Sequence, residues 1–318
     1  MLRVRRWHST AAAALCVFAG QSDPVAAMRH TVDALLAEGE VAGPPVDLRL
    51  LASLRDVRSI DYRNILEAGR LVPEDTGDIV QVNRRHTEGK RRFTVGHEIC
   101  HTFFNEAKQS ARASVDLTTG LFDIRDEEEY LCDVGAARIL LNPCWLVPMA
   151  QSRPASLDGL FEIADVCGAS IEATAFQLAQ SAVWQCTFVF WEQGLRKAQQ
   201  LPPGQAALPG LKGMPDPGKK LRVTRAYGSD YLPFVPRNKS VEQDSTIHQA
   251  LVARGRTEGR EVLYLGSRPL EAYCQSDYAP YYDGDGSLVQ RVVSCVVWRQ
   301  EEKAKVMPQI PGLWRVSP

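Results

Sequence analysis

Between Pro24 and Glu40 the apolar residues Val25, Met28, Val32, Leu35 and Leu36 recur at helical spacing, which predicts an amphipathic helix ended by Gly43-Pro44-Pro45. A second helix is expected over Val46 to Leu54. Alternation from Asp61 to Leu71 predicts a hairpin, followed by a turn at Pro73-Glu74-Asp75-Thr76-Gly77 and a strand over Asp78 to Asn83. From Arg91 to Asn105 the positions Phe93, Val95, Ile99, Phe103 and Phe104 mark a helix packed on a core. A polar stretch from Lys108 to Thr119 follows. The acidic cluster Asp126 to Glu129 then opens another helix, which runs through Ala136, Ala137, Ile139 and Leu140 and stops at Asn142-Pro143.

Ser156 to Ala182 reads as two helices joined at Gly168-Ala169-Ser170, a helix-turn-helix pattern. Its second half has few of the basic residues that phosphate contacts need, so Ile171, Ala175, Phe176 and Leu178 read as a packing face, one that a protein partner could also use. Beyond Val183 the texture turns to β: Phe188 to Trp191, Leu221 to Ala226, Glu261 to Leu265 and Val292 to Trp298, with a Pro/Gly-rich loop from Leu201 to Gly218 between the first two. The expected class is α+β. The expected organisation is an N-terminal extension (1–23), a helical core with a small sheet (24–150), a helical segment (151–182) and a β-rich domain (183–318).

Length and composition support that division. The chain has 318 residues, 45% of them apolar, enough for more than one core. Its 37 basic and 38 acidic residues leave no global field to attract nucleic acid or membrane, so any such contact must be local. Arg222, Arg225, Arg237, Lys239, Arg254, Arg256 and Arg260, interleaved with Tyr227, Tyr231 and Phe234, form such a local candidate for single-stranded nucleic acid, against the simpler reading of solvated charges on strand edges. None of the eight cysteines falls in a C-x-x-C pair and most lie in apolar runs, which favours buried thiols over a disulfide framework. Arg3-Val4-Arg5-Arg6 followed by Ala11 to Gly20 has the form of a secretory signal, or else of an Ala-rich first helix.

The chemistry concentrates at His97-Glu98-Ile99-Cys100-His101. On a helix, residues four apart lie one above the other, so both imidazoles can reach a single ion, and zinc is the natural occupant of such an H-E-x-x-H motif. Two imidazoles and a carboxylate leave a fourth position open to water, and Glu98 beside the first ligand suits the role of catalytic base. The third ligand is assigned to Glu129, with Glu128 and Glu127 as rivals. Asp133, four residues on, then falls where it can hold a ligand histidine's free N–H. Cys100 and Cys132 flank these positions, either as small buried hydrophobes or as thiols that regulate the metal.

Arg92-Phe93-Thr94-Val95-Gly96-His97-Glu98-Ile99-Cys100-His101, preceded by Val82-Asn83, resembles the active-site helix of the ImmA/IrrE metallopeptidases. Glu129 to Asp133 and Ala136 to Pro143 are similar to that family's second signature; Cys100 replaces a frequent glycine and Asn142 a frequent methionine. The resemblance spans about residues 44 to 180. It implies a gluzincin-like, zincin-type core and a cytoplasmic zinc endopeptidase that cleaves a helix-turn-helix repressor in a DNA-damage, mobile-element or antiphage response, with no membrane partner. It also implies a sensor-like C-terminal domain of GAF/PAS type. The competing expectation is a non-catalytic zinc-bearing regulator that senses a ligand or nucleic acid through that domain.

Overall fold

The computed structural model describes residues 7–112, 124–195, 219–264, 269–282 and 286–298. In chain order the elements are α1 (Thr10–Ala19), α2 (Pro24–Glu38), α3 (Leu48–Ser53), β1 (Val57–Arg63), β2 (Gly69–Val72), β3 (Asp78–Asn83), α4 (Glu88–Arg112), α5 (Ile124–Leu140), α6 (Pro143–Gln151), α7 (Leu157–Cys167) and α8 (Ile171–Ser181). They continue with β4 (Thr187–Gly194), β5 (Lys220–Gly228), α9 (Thr246–Ala253), β6 (Thr257–Leu263), β7 (Leu270–Tyr278), β8 (Tyr281–Tyr282), β9 (Leu288–Val289) and β10 (Arg291–Trp298). The class is α+β, as the sequence predicts. The Pro/Gly-rich loop 201–218 and most of the polar stretch 108–119 lie outside the described residues.

The first sheet differs from the expected hairpin. Its order is β1-β3-β2, with β1 parallel and β2 antiparallel to β3, so β1 and β2 do not pair with each other. Alternation identified the strands but carried no information on partners. Strand β3 is central, and β1 and β2 are the two edges.

Helix α1 belongs to the core and is not a separate extension: Ala11, Ala12 and Leu15 are fully buried, and the helix packs on α4 and α2. Burial of that apolar face accounts for the signal-like composition, because a helix covered on one side needs the same run of small apolar residues. Its N-terminus is held by a residue far along the chain. Glu127 accepts from the backbone N–H groups of His8 and Ser9 at 3.0 and 2.8 Å, and Ser9 caps the helix by accepting from Ala12. Among the described residues no single helix is long and apolar enough to cross a membrane; α1 and α2 pass that test only as a pair bent by 50°.

Helices α4 and α5 approach closely at two small residues. Gly96 faces Ala136, and Gly135 sits against the Cys100 Sγ and the Met28 Sδ, both too close to admit a Cβ without displacement. A bidentate pair then ties α5 to α2: Arg138 Nε and Nη2 donate to Asp33 at 2.8 and 2.6 Å, and Asn142 Nδ2 adds a bond at 2.9 Å. Asn142 also caps α6 by accepting from Cys144, which explains a polar residue where methionine was the commoner expectation.

The second sheet is antiparallel, in the order β5-β4-β10-β7-β6. Strand β4 alternates between two cores: Phe188 and Phe190 join the large cluster shared with the helices, while Val189 and Trp191 face a second cluster closed by α9. The hydrophobic core is thus continuous across the change of texture near residue 183. The face expected on α8 packs in part: Ala175 and Leu178 are buried and the helix lies on β4 and β5, but Phe176 is 42% exposed.

Two outcomes test this packing. Burial alone would raise the Asp33 carboxyl, but the Arg138 and Asn142 bonds hold it below the usual carboxylate value. Its stabilisation is therefore present above the unfolded-state pKa of ~4 and is lost as pH falls through the lower folded value. Because Asp33 is 41% exposed, solvent screens the pair. Asp33→Asn is expected to cost about 1 kcal/mol at neutral pH and to lower Tm by ~2–4 °C, a deficit that shrinks as pH falls below the unfolded-state value of ~4. Separately, Gly135→Ala is expected to destabilise by about 1–3 kcal/mol through collision with Cys100, and adding Cys100→Ala should restore part of that loss in a thermal melt.

Candidate metal centre

Helix α4 presents His97 and His101 on one face, and α5 crosses it so that Glu129 and Asp133 come opposite. His97 Nε2 and His101 Nε2 are 3.1 Å apart. Glu129 places Oε2 3.0 Å from His97 Nε2 and Oε1 3.6 Å from His101 Nε2. Ligand atoms held ~2.0–2.2 Å from one tetrahedral ion lie roughly 3.3 Å from each other, so these three side chains have the spacing of a zinc donor set. Asp133 Oδ1 lies 2.9 Å from His97 Nδ1, the nitrogen turned away from the cluster. A carboxylate there favours a proton on Nδ1 and turns Nε2 towards the cluster, the arrangement a metal ligand needs. Burial pulls the His97 pKa down, but Asp133 more than offsets it.

The rival carboxylates have other places. Glu127 caps α1 as described, and Glu128 approaches the far nitrogen of His101, Nδ1, at 3.8 Å. Cys132 is a different rival, because its Sγ lies within 4.8 Å of the ligand nitrogens of His97 and His101. Glu129 is closer by the distances above and is 56% exposed, whereas burial pushes the Cys132 thiol well above its ordinary value. We therefore rank the carboxylate first on distance. Cys100 is fully buried against Gly135 and α2, turned from the imidazoles, and burial pushes its thiol up as well.

Glu98 is only 6% exposed yet lines the same cleft, an opening of about 450 Å³ bounded by Gly69, Arg70, Leu71, Asp78, His101 and Glu129 among others. Its carboxylate accepts a hydrogen bond from the Leu71 backbone N–H on the edge strand β2. Burial pushes this carboxyl above the usual carboxylate value, against the pull of the two imidazoles. Gly69 makes the close approach feasible, since a Cβ there would meet the Thr94 methyl and come 3.1 Å from Glu98 Oε1. Sequence reasoning missed Gly69 and Leu71. The visible signal was a glycine opening a short apolar run, which marks a strand that must come close to something.

The basic candidates of the C-terminal domain are partly engaged in the protein itself. Arg222 donates to the Gly194 and Asn238 carbonyls, Arg225 pairs with Glu172 at 2.6 Å, and Arg256 bridges Asp158 of α7 and Asp277 of β7. Tyr231 and Phe234 are exposed.

Known proteins share parts of this arrangement. A Mycobacterium tuberculosis transcriptional regulator has a similar fold, with a TM-score of 0.53 at 14% identity over 91% of this chain and 80% of that one. No curated protein matches the sequence. The profile of the IrrE N-terminal-like domain matches residues 56–179, which run from β1 into α8 and contain every side chain gathered at the cleft. That segment, about two-fifths of the chain, is similar to the IrrE N-terminal-like domain of the M78 peptidase family.

Proposed function

We propose that the protein is a zinc-dependent endopeptidase in which His97, His101 and Glu129 hold the metal and Glu98 is the catalytic base. The observation that carries the reading is the convergence of two Nε2 atoms and one carboxylate within 3.0–3.6 Å, beside a second, nearly buried carboxylate in the same cleft. Zinc bound there would polarise a peptide carbonyl and acidify a water. Glu98, held by the Leu71 N–H, accepts the water's proton and delivers it to the departing amine, a transfer helped by a carboxyl already raised towards neutrality. Asp133 keeps His97 oriented throughout. The free edge of β2 can take the peptide backbone by strand addition, with Gly69 to Leu71 lining the cleft.

The substrate we propose is a helix-turn-helix repressor, cleaved at one bond so that the genes it silences are released, in a DNA-damage, mobile-element or antiphage response. The family of residues 56–179 supports this reading, and so does a cleft that is open yet small enough to admit an extended segment and not a folded domain. The antiparallel C-terminal sheet, sharing a core with α7 and α8, suits a sensor that adjusts the peptidase.

Co-expression of the full chain with helix-turn-helix repressors from the same genome, followed by mass measurement of fragments, tests the activity. Glu98→Gln is expected to reduce cleavage by ~10²–10⁴-fold while zinc content stays at one per chain. Repressor cleavage that persists in that variant, or gene release without any cleavage, would move the protein to the class of non-catalytic regulators. The third ligand is tested by metal analysis: Glu129→Gln is expected to weaken zinc binding severely, whereas Cys132→Ser should leave the stoichiometry unchanged. Loss of zinc in the cysteine variant alone would reverse the assignment.

A further inference from the structure

The metal cleft has opposite charge at its two ends. Strand β2, its edge, spans only four residues from Gly69 to Val72, so ~10 Å separates one end from the other. At the Gly69 end the antiparallel register sets Arg70 against Gln81, two residues before β3 finishes at Asn83. Arg84 and Arg85 follow at once, and the Arg84 N–H donates to Arg63 O at 2.9 Å, which ties the end of β1 to the same place. Lys90 stands in the first turn of α4 just beyond. Arg70, Arg84, Arg85 and Lys90 are all exposed, and none has a carboxylate partner among the described residues.

Unpaired arginines elsewhere on this domain, Arg29 and Arg49, are exposed but stand singly on α2 and α3, and several others are paired. Arg58, Arg63, Arg91, Arg138 and Arg153 each pair with a carboxylate. Glu67, also exposed in the β1–β2 connection, only partly offsets the four free cations. At the Val72 end the chain turns through Glu74 and Asp75 to Asp78, with Arg58 as the neighbouring cation, and Asp78 lines the cleft.

We propose that this basic end is a substrate-docking surface for an acidic protein segment a few residues from the bond to be cleaved, so that charge on the two flanks of the scissile bond sets which segment binds and in which direction. The inference rests on the peptidase reading for its location but not for its chemistry. A polypeptide is favoured over a nucleic acid because Glu98, Glu128 and Glu129 line the cleft and Asp78 lines its far end. A strand of uniform negative charge is repelled there, while a peptide can be acidic on one flank and neutral at its centre.

Binding to the zinc-loaded Glu98→Gln full chain tests this without any turnover. Two fluorescein-labelled dodecapeptides share an apolar centre; one carries four glutamates on one flank, the other four lysines. At ~50 mM salt the acidic peptide is expected to bind at least ~10-fold tighter, with the gap closing as salt rises. Adding Arg84→Glu, Arg85→Glu and Lys90→Glu should abolish or reverse the order while thermal melting stays unchanged, because the three side chains are exposed. Equal affinities, no binding of either peptide, a preference that survives the triple substitution, or tighter binding of a single-stranded oligonucleotide than of the acidic peptide would each overturn the proposal. If the charge preference holds but the unsubstituted protein cleaves neither peptides nor repressors, the peptidase reading fails and the docking surface stands.

Discussion

The close approach of α4 to α5 is the constraint on which the site depends. Two helices packed through ordinary side chains lie 8–10 Å apart. At that distance a glutamate on one would reach a histidine on the other only by chance of rotamer. Here Gly96 against Ala136, and Gly135 against Cys100, bring the helices together just beside His97 and His101. Glu129 and Asp133, on the next turns of α5, then meet the two nitrogens of His97 from opposite sides. The small residues and the charged ones are therefore parts of one device: removing bulk in the core is what fixes charge at the surface. Cys100 belongs to the same device as a compact buried hydrophobe, a more economical account of its place than regulation.

Helical spacing made much of this legible. The motif on α4, the carboxylate pair on α5 and the role of Asp133 all follow from the rule that residues four apart share a face, and the structure brings those side chains together. Neither Glu127 nor Glu128 could be separated from Glu129 by that rule, because a phase error of one or two residues was enough. What settles Glu127 is a partner from far away, the N-terminus of α1, which receives the Glu127 carboxylate. Partner choice is also what escaped in the sheet. The periodicity of Ile79, Val80 and Val82 reveals a strand, but β3 is central only because β1 and β2 both find it, a matter of chain crossing that local pattern does not encode.

The C-terminal region shows a similar limit. The alternation of Phe188 and Phe190 with Val189 and Trp191 marked β4, yet all four are buried, because the strand separates two cores. Texture placed a boundary near residue 183, and packing carries the core straight across it. Strand β7 has polar residues between its apolar ones and a charged start, so its texture was too weak to be seen. The salt bridges of Arg256 and Arg225 to α7 and α8 tie the sheet to the last helices of the peptidase-family domain. A change within the sheet would thus act on helices whose connecting turn, at Ala169 and Ser170, touches Gly89 at the start of α4.

Glu98 and Glu129 illustrate how one cleft sets two carboxylates to different work. Glu129 is more than half exposed, so it meets the two imidazoles at the solvent side of the cleft. Glu98 is almost wholly buried, one residue along from a histidine of the cluster, with a single backbone N–H to support its charge, and burial raises its pKa. An exposed glutamate at that position would remain ionised and return a proton poorly; a fully isolated one would stay protonated and never accept it. The Leu71 N–H tempers the burial, and Gly69 allows the strand near enough to supply that bond. In the proposed mechanism the edge strand would act twice, once on the base and once as a rail for the peptide, so a chain laid along β2 would pass beside Glu98.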